Sequence, residues 1–385
     1  MSFIFPKRLK ARAARTVVRR RSLLAAMLVA ASLASGADAA PRARNVILFL
    51  GDAGGLSTIH AAGVMAHNKP QSLFIHSMRN VALVDTSALD GWVSDSAAGM
   101  TAIMTGRKTN NGMLSVVPSG KDDTVPVKTL LEYAEQRGLS TGIITNKPYL
   151  DATPAATYAH VSSRRDVDEV LRQLLAPRFG DGVDILIGKG RAFTDKGLAQ
   201  RKTTAEAVFT AAGYRFGEDP LLVRQARRVA VLRDADFAPL PAVEATLAQL
   251  ARNKKGYFLM VEWDMHADRM PADLRQVVEM DDMIRRISAS AGKDTLILFA
   301  ADHSFGLRMS SGSRATPLEQ QYAAEAAKPG VTERNNALIS VDHEHSGEEV
   351  IAAASGPGAE KVRGFMPNTR LFQIMMAALG WEEDK

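Results

Sequence analysis

The chain has 385 residues, 46% of them apolar, 23% charged and 6% aromatic, which excludes a disordered, collagenous or coiled-coil protein as a whole. Its formal net charge is +6, but residues 1–39 hold eight Lys/Arg and one acid, leaving 40 basic and 41 acidic residues in the remainder. No general polyanion-binding field survives that split, so no nucleic-acid-binding surface is expected. Cysteine is absent, which rules out disulfides and thiolate catalysis and leaves His, Asp, Glu and hydroxyl groups to hold any metal.

Residues 1–39 read as an export signal. A basic run ends at Arg19-Arg20-Arg21, an apolar stretch follows over 23–31, and Ala37-Asp38-Ala39 offers a cleavage site. The apolar core is shorter than the ~20 residues a membrane anchor needs, so no stable membrane span is expected. The arginine context is similar to a twin-arginine signal, and an ordinary Sec signal fits equally well. Either implies a periplasmic or secreted protein.

From residue 43 onward, short apolar runs at 45–50, 81–84, 141–145, 183–187, 256–261, 295–300 and 350–354 alternate with helical patterns. Continuous apolar runs of this length predict strands buried on both faces. Residues 128–137 end at Gly138, and 273–287 carry Val277, Met280, Ile284 and Ile287 at helical spacing. The alternation predicts an α/β fold with a doubly wound, mostly parallel central sheet flanked by helices. One catalytic domain over 40–385 is expected, with insertions near 190–240 and 305–340.

Acids follow the runs. Asp52 closes the first, Glu262 the fifth with Asp264 and His266 behind it, and Asp302-His303 the sixth; His343-Glu344-His345 precede the last. Ligands in open α/β sheets bind beyond the carboxyl ends of the strands, where these acids and imidazoles would converge and call for a divalent cation. Taken singly, Asp52 reads first as a turn former or helix N-cap, and a lone histidine more often as hydrogen-bonded than metal-bound. Residues 96–105 read as a helix ended by Gly106, and Ser96 at its start would have free N–H groups and the positive dipole end beside its hydroxyl. Plain capping by Asp95 or Ser96 is the competing reading. The G-x-S-x-G elbow and the Walker A loop are absent, so a metal-activated serine fits best.

These blocks, in this order, resemble the alkaline phosphatase family of the two-zinc, one-magnesium serine type: Gly51-Asp52; 93–106 around Ser94-Asp95-Ser96; Asp151-Ala152-Thr153-Pro154 with His160 and Arg164; 258–262 ending in Glu262; Ala301-Asp302-His303; and Glu344-His345-Ser346-Gly347. The resemblance spans about 45–380. It implies hydrolysis of small phosphate monoesters through a phosphoserine at Ser96, with two Zn2+ and one Mg2+. It assigns Asp52, Asp302 and His303 to the zinc that activates Ser96, and His345 to the other zinc. It also assigns Asp52, Thr153 and Glu262 to magnesium, with Asp151 supporting that site from behind, and Arg164 to the phosphate oxygens. The family pattern breaks at Glu262-Trp263-Asp264-Met265-His266-Ala267-Asp268, where the ligands of the other zinc are Asp264 with His266 or, alternatively, Asp264 with Asp268; imidazole favours His266. The alternatives in activity are a phosphodiesterase, a promiscuous hydrolase of the wider phosphatase/sulfatase superfamily, or an inactive exported relative that binds phosphate or metal. Homodimers are common in the family.

Overall fold

The computed structural model describes residues 42–121 and 123–384; the leader expectation lies outside the described residues. The strands are β1 (Asn45–Asp52), β2 (Asn80–Asp85), β3 (Val116–Pro118), β4 (Thr124–Pro126), β5 (Ser140–Pro148), β6 (Ile185–Lys189) and β7 (Arg215–Gly217). They continue with β8 (Val229–Arg233), β9 (Tyr257–Asp264), β10 (Thr295–Ala301), β11 (Ser304–Met309), β12 (Ile339–Ser346), β13 (Val350–Ser355) and β14 (Gly364–Pro367). The helices are α1 (Leu56–His67), α2 (Ser96–Thr105), α3 (Leu130–Arg137), α4 (Ala152–Ala155), α5 (Val167–Leu175) and α6 (Arg191–Leu198), then α7 (Ala205–Ala211), α8 (Pro239–Leu250), α9 (Ala272–Ser290), α10 (Leu318–Ala326) and α11 (Thr369–Leu379).

Ten strands form one sheet in the order β14-β2-β13-β10-β1-β9-β5-β6-β8-β7. All neighbours pair in parallel except around β13, which runs antiparallel to both β10 and β2. Its apolar run at 350–354 looks like the parallel strands because burial on both faces, and not direction, sets that pattern. Residues 190–240 contribute β7 and β8 to the far edge of this sheet, and 305–340 contribute β11, α10 and the start of β12. β11 and β12 form a separate antiparallel ribbon.

Alternation along β1 shows why helices cover both faces. Val46, Leu48 and Leu50 join one core with Met100 and Ile103 of α2, Leu131 of α3 and Phe372 of α11. Ile47 and Phe49 join the other with Ile59 of α1, Val243 of α8 and Val277, Met280, Ile284 and Ile287 of α9. Each of those α9 side chains is almost wholly buried, which contributes about 1.5–3 kcal/mol apiece as an upper estimate.

The core also contains an acid that ties stability to pH. Glu135 of α3 is buried, where it accepts hydrogen bonds from Thr141 Oγ1 at 2.6 Å and the Gly182 N–H at 3.1 Å. Burial outweighs those bonds and pushes its carboxyl up to about 8. A folded-state value above the unfolded one means stability is full below about pH 4.3 and is lost as pH rises through 8. Thermal unfolding is expected to show wild-type stability falling by on the order of a few kcal/mol between pH 5 and 9, with Glu135→Gln removing most of that difference.

Candidate active site

The sheet's central strands deliver the acids to one edge. β1 lies between β10 and β9; its register sets Gly51 opposite Ala301 and Asp52 opposite Asp264. Asp52, Asp264 and Asp302 therefore leave the sheet level with one another. Immediately after Asp52 the backbone turns left-handed at Ala53, φ +68°, a costly conformation for a residue with a Cβ. It aims the Ala53 N–H at Asp302 Oδ1, 3.1 Å away, and the His303 N–H bonds the same oxygen at 2.9 Å.

α2 brings the serine. Asp95 is its N-cap, accepting from the Ala98 N–H at 3.0 Å, and Gly106 ends it in the left-handed region. Ser96 is buried, with Oγ 3.3 Å from Asp52 Oδ1 and 3.2 Å from His303 Nε2. The approach is close because Gly99 rests on the end of β10: a Cβ there would lie 2.4 Å from the Asp302 carbonyl oxygen. Gly99→Ala would favour the helix by about 1 kcal/mol yet displace it from the acids. The expected result is a kcat lowered by roughly 10²-fold with the circular dichroism spectrum unchanged.

Three imidazoles complete the cluster. β11 and β12 place His345 opposite Phe305, and its ring stacks on His303 with centroids 3.7 Å apart. His266 stands 5.7 Å from both ring centroids. His303 Nδ1 faces the Ser304 carbonyl at 3.1 Å and His345 Nδ1 the Ser94 carbonyl at 3.0 Å. Those contacts assign the proton to Nδ1 in each neutral ring and leave Nε2 free to ligate. His266 Nδ1 is 2.8 Å from Asp264 Oδ1. Three sets have ligand atoms within 4.8 Å of one another: Asp52, Asp302 and His303; Asp52, Asp264 and His266; and His266, His303 and His345.

The electrostatics match such a cluster. Burial lowers the His345 imidazole, and the neighbouring His303 lowers it further, to about 4. Burial would also lower His303, yet Asp302 and Asp52 raise it to about 9. Burial works to raise Asp52, but Lys147 first, then His303 and His266, hold it well below the usual carboxylate range. Buried carboxylates, with imidazoles that shed a proton as an ion binds, are the donors zinc prefers, and carboxylate oxygens also suit magnesium.

Arg164 lies beside the serine helix. It donates to Asp95 Oδ2 at 3.2 Å and to Asp151 Oδ1 at 2.6 Å, so the helix cap itself positions the guanidinium. Thr153 is buried on α4 with Oγ1 3.5 Å from Asp302 Oδ2. Glu262 is buried on β9, where Oε2 accepts from Thr145 Oγ1 and Oε1 has no partner. Asp268 stands apart from these groups and pairs with His343, Oδ1 to Nδ1 at 3.0 Å. β9 continues through Asp264, and the Met265 N–H then bonds the Asp52 carbonyl at 2.8 Å, so His266 turns into the cluster while Asp268 is carried past it.

One cation here is missing from the sequence reading. Lys147, at the end of β5, puts Nζ 2.8 Å from Asp52 Oδ2 and 3.8 Å from both Asp151 Oδ2 and Asp264 Oδ1. It follows the apolar run 141–145 as directly as the acids follow theirs; listing every charge at the strand ends, and not only the acids, would have found it. The carboxylates and imidazoles of the three sets fit bound metal. They do not fit a magnesium ion at Asp52 Oδ2, where an ammonium already sits.

Fold and site together define an α/β protein that gathers acids, imidazoles and a serine hydroxyl at one edge of its sheet, a set fit for metal-assisted hydrolysis. The alkaline phosphatase family model matches residues 43–216 and 227–332. Among curated relatives, alkaline phosphatase 4 of Bacillus subtilis is 28% identical over 87% of this chain and 88% of its own length. Streptomycin-6-phosphate phosphatase of Streptomyces griseus is 29% identical over 91% and 94%. Escherichia coli alkaline phosphatase is 28% identical over 88% and 86%. Two solved structures share the fold at 21% identity: the alkaline phosphatase of the Antarctic bacterium TAB5, with TM-score 0.73 over 90% of this chain and all of that one, and that of Thermus thermophilus, with 0.74 over 89% and 92%. The chain belongs to the alkaline phosphatase family and is a phosphatase, a hydrolase that uses metal cofactors.

Proposed function

We propose that the chain hydrolyses phosphate monoesters through a phosphoserine at Ser96, with one zinc held by Asp52, Asp302 and His303 and a second by Asp264, His266 and His345. The observation that carries this is the placement of Ser96 Oγ within 3.3 Å of both Asp52 Oδ1 and His303 Nε2 at the start of α2. When bound, two such ions stabilise the attacking and leaving oxygens and lower the pKa of water toward ~7.

The chain's own groups do the rest. Ser96 Oγ attacks phosphorus in line; the Oγ–P bond forms as the bond to the departing oxygen breaks, and the proton lost from Oγ ends, by way of solvent, on that oxygen to give the alcohol. The first N–H groups of α2 and the dipole behind them favour the phosphate oxygens. Arg164 offers those oxygens a planar pair of donors, pre-aimed by Asp95 and Asp151. Water then takes phosphorus from Oγ and regenerates the serine. Two inversions give net retention at phosphorus. A monoester has the free oxygens such a clamp uses, and this favours monoesters over diesters.

Turnover of p-nitrophenyl phosphate with acid-trapped phosphate on Ser96 and retention at a chiral phosphorus would support this reading. Turnover with inversion, or tight phosphate binding without turnover, would overturn it. The basic-then-apolar leader and its Ala37-Asp38-Ala39 site support export by the Sec or twin-arginine route. Among the described residues no helix is long and apolar enough to cross a membrane.

A further inference from the structure

The two oxygens of Asp52 face different neighbours. Oδ1 takes the Ser96 hydroxyl and lies 3.4 Å from His303 Nε2. Oδ2 is 2.8 Å from Lys147 Nζ. The family resemblance assigns Asp52, Thr153 and Glu262 to magnesium. Here Thr153 Oγ1 turns to Asp302, and only Glu262 Oε1 is left unpartnered. Magnesium demands near-octahedral oxygen ligands at about 2.0–2.1 Å. It could not take Asp52 Oδ2 without standing against a buried ammonium.

Lys147 is built into the site. Its side chain is 19% exposed, and its charge meets carboxylates from three separate elements: Asp52 of β1, Asp264 of β9 and Asp151 at the start of α4. Asp151 also holds Arg164 at 2.6 Å, so one acid ties the ammonium to the guanidinium that faces phosphate. A lysine ammonium is a compact point charge with three donors. It can neutralise Asp52 Oδ2 and leave Oδ1 for the serine side without exchanging with solvent ions.

We infer that Lys147 takes the place of the third metal ion, its ammonium serving as a permanent cation on Asp52 Oδ2, so that the enzyme works with two divalent ions and needs no magnesium. The inference rests on the two-ion reading above and makes Lys147 a positioning residue, acting on phosphate only through Asp52 and Arg164.

The test measures metal content of the full chain after purification with excess zinc and magnesium and removal of free ions. Wild type is expected to retain two zinc and no magnesium per chain, and its melting temperature should not respond to magnesium. Lys147→Ala, which empties the position, is expected to retain about one magnesium in addition and to gain a magnesium-dependent rise in melting temperature. Two zinc plus one retained magnesium in wild type would overturn the lysine's role and leave the two-ion reading intact. A folded Lys147→Ala chain with two zinc and no response to magnesium would also overturn it. A wild type that holds no zinc would overturn the two-ion reading and this inference with it. If Lys147→Ala does not fold, Lys147→Met, which keeps the apolar stem, and the wild-type metal content decide the question.

Discussion

Ser96→Ala is expected to lower kcat for phosphate monoesters by about 10³-fold or more while zinc content and melting temperature stay close to wild type. The change removes a single oxygen. That oxygen lies 3.2 Å from His303 Nε2 and 3.3 Å from Asp52 Oδ1, and in the proposed path it is the atom bonded to phosphorus. The fold should survive because the helix cap is Asp95. Loss of a cap costs about 1 kcal/mol, whereas an alanine at the first helical position costs almost nothing. Steady-state kinetics on p-nitrophenyl phosphate and metal analysis check both halves. Wild-type turnover in Ser96→Ala would mean that water attacks phosphorus directly, and inversion at phosphorus would accompany it.

Chelation is expected to have a comparable effect on rate and a larger one on stability. Asp52, Asp302 and Glu262 are at most 1% exposed, so without an ion three carboxyl groups are crowded together out of reach of water. Ions bound a thousand-fold above their dissociation constant would stabilise the folded state by ~4 kcal/mol. Dialysis against EDTA should therefore abolish activity and lower the melting temperature, and zinc should restore both. The ligands must shed protons to bind, so acid should cause the same loss without a chelator. A chelated protein with an unchanged melting temperature and full turnover would sink the metal assignment.

Much of this was legible in the sequence, for local reasons. α2 begins and ends where its capping acid, small apolar run and Gly106 place it. The runs at 45–50, 256–261 and 295–300 became β1, β9 and β10 because strands buried on both faces leave little choice of pattern. The short strands β7 and β8 were not legible, since brief runs among arginines lack the length that separates strand from loop. Direction was not legible either, as β13 shows. What separates His266 from Asp268 in position is a tertiary bond: a sequence spacing of two or four does not disclose that the Met265 N–H is spent on the Asp52 carbonyl. Lys147 escaped because metal chemistry directs attention to acids and imidazoles, and a cation among them breaks that rule.

The reversed direction of β13 bears on how far His345 can drift. β12 ends at Ser346, just past that histidine, and β13 starts at Val350. Because β13 runs opposite to β10, it starts near the edge where the acids emerge, and three residues span the gap. A strand of the usual polarity would need a return path across the whole sheet, with slack to match. The imidazole is thus held on a short tether to the central sheet. Deleting or adding one residue among Gly347, Glu348 and Glu349 would be passed on to the ring instead of being absorbed by a loop.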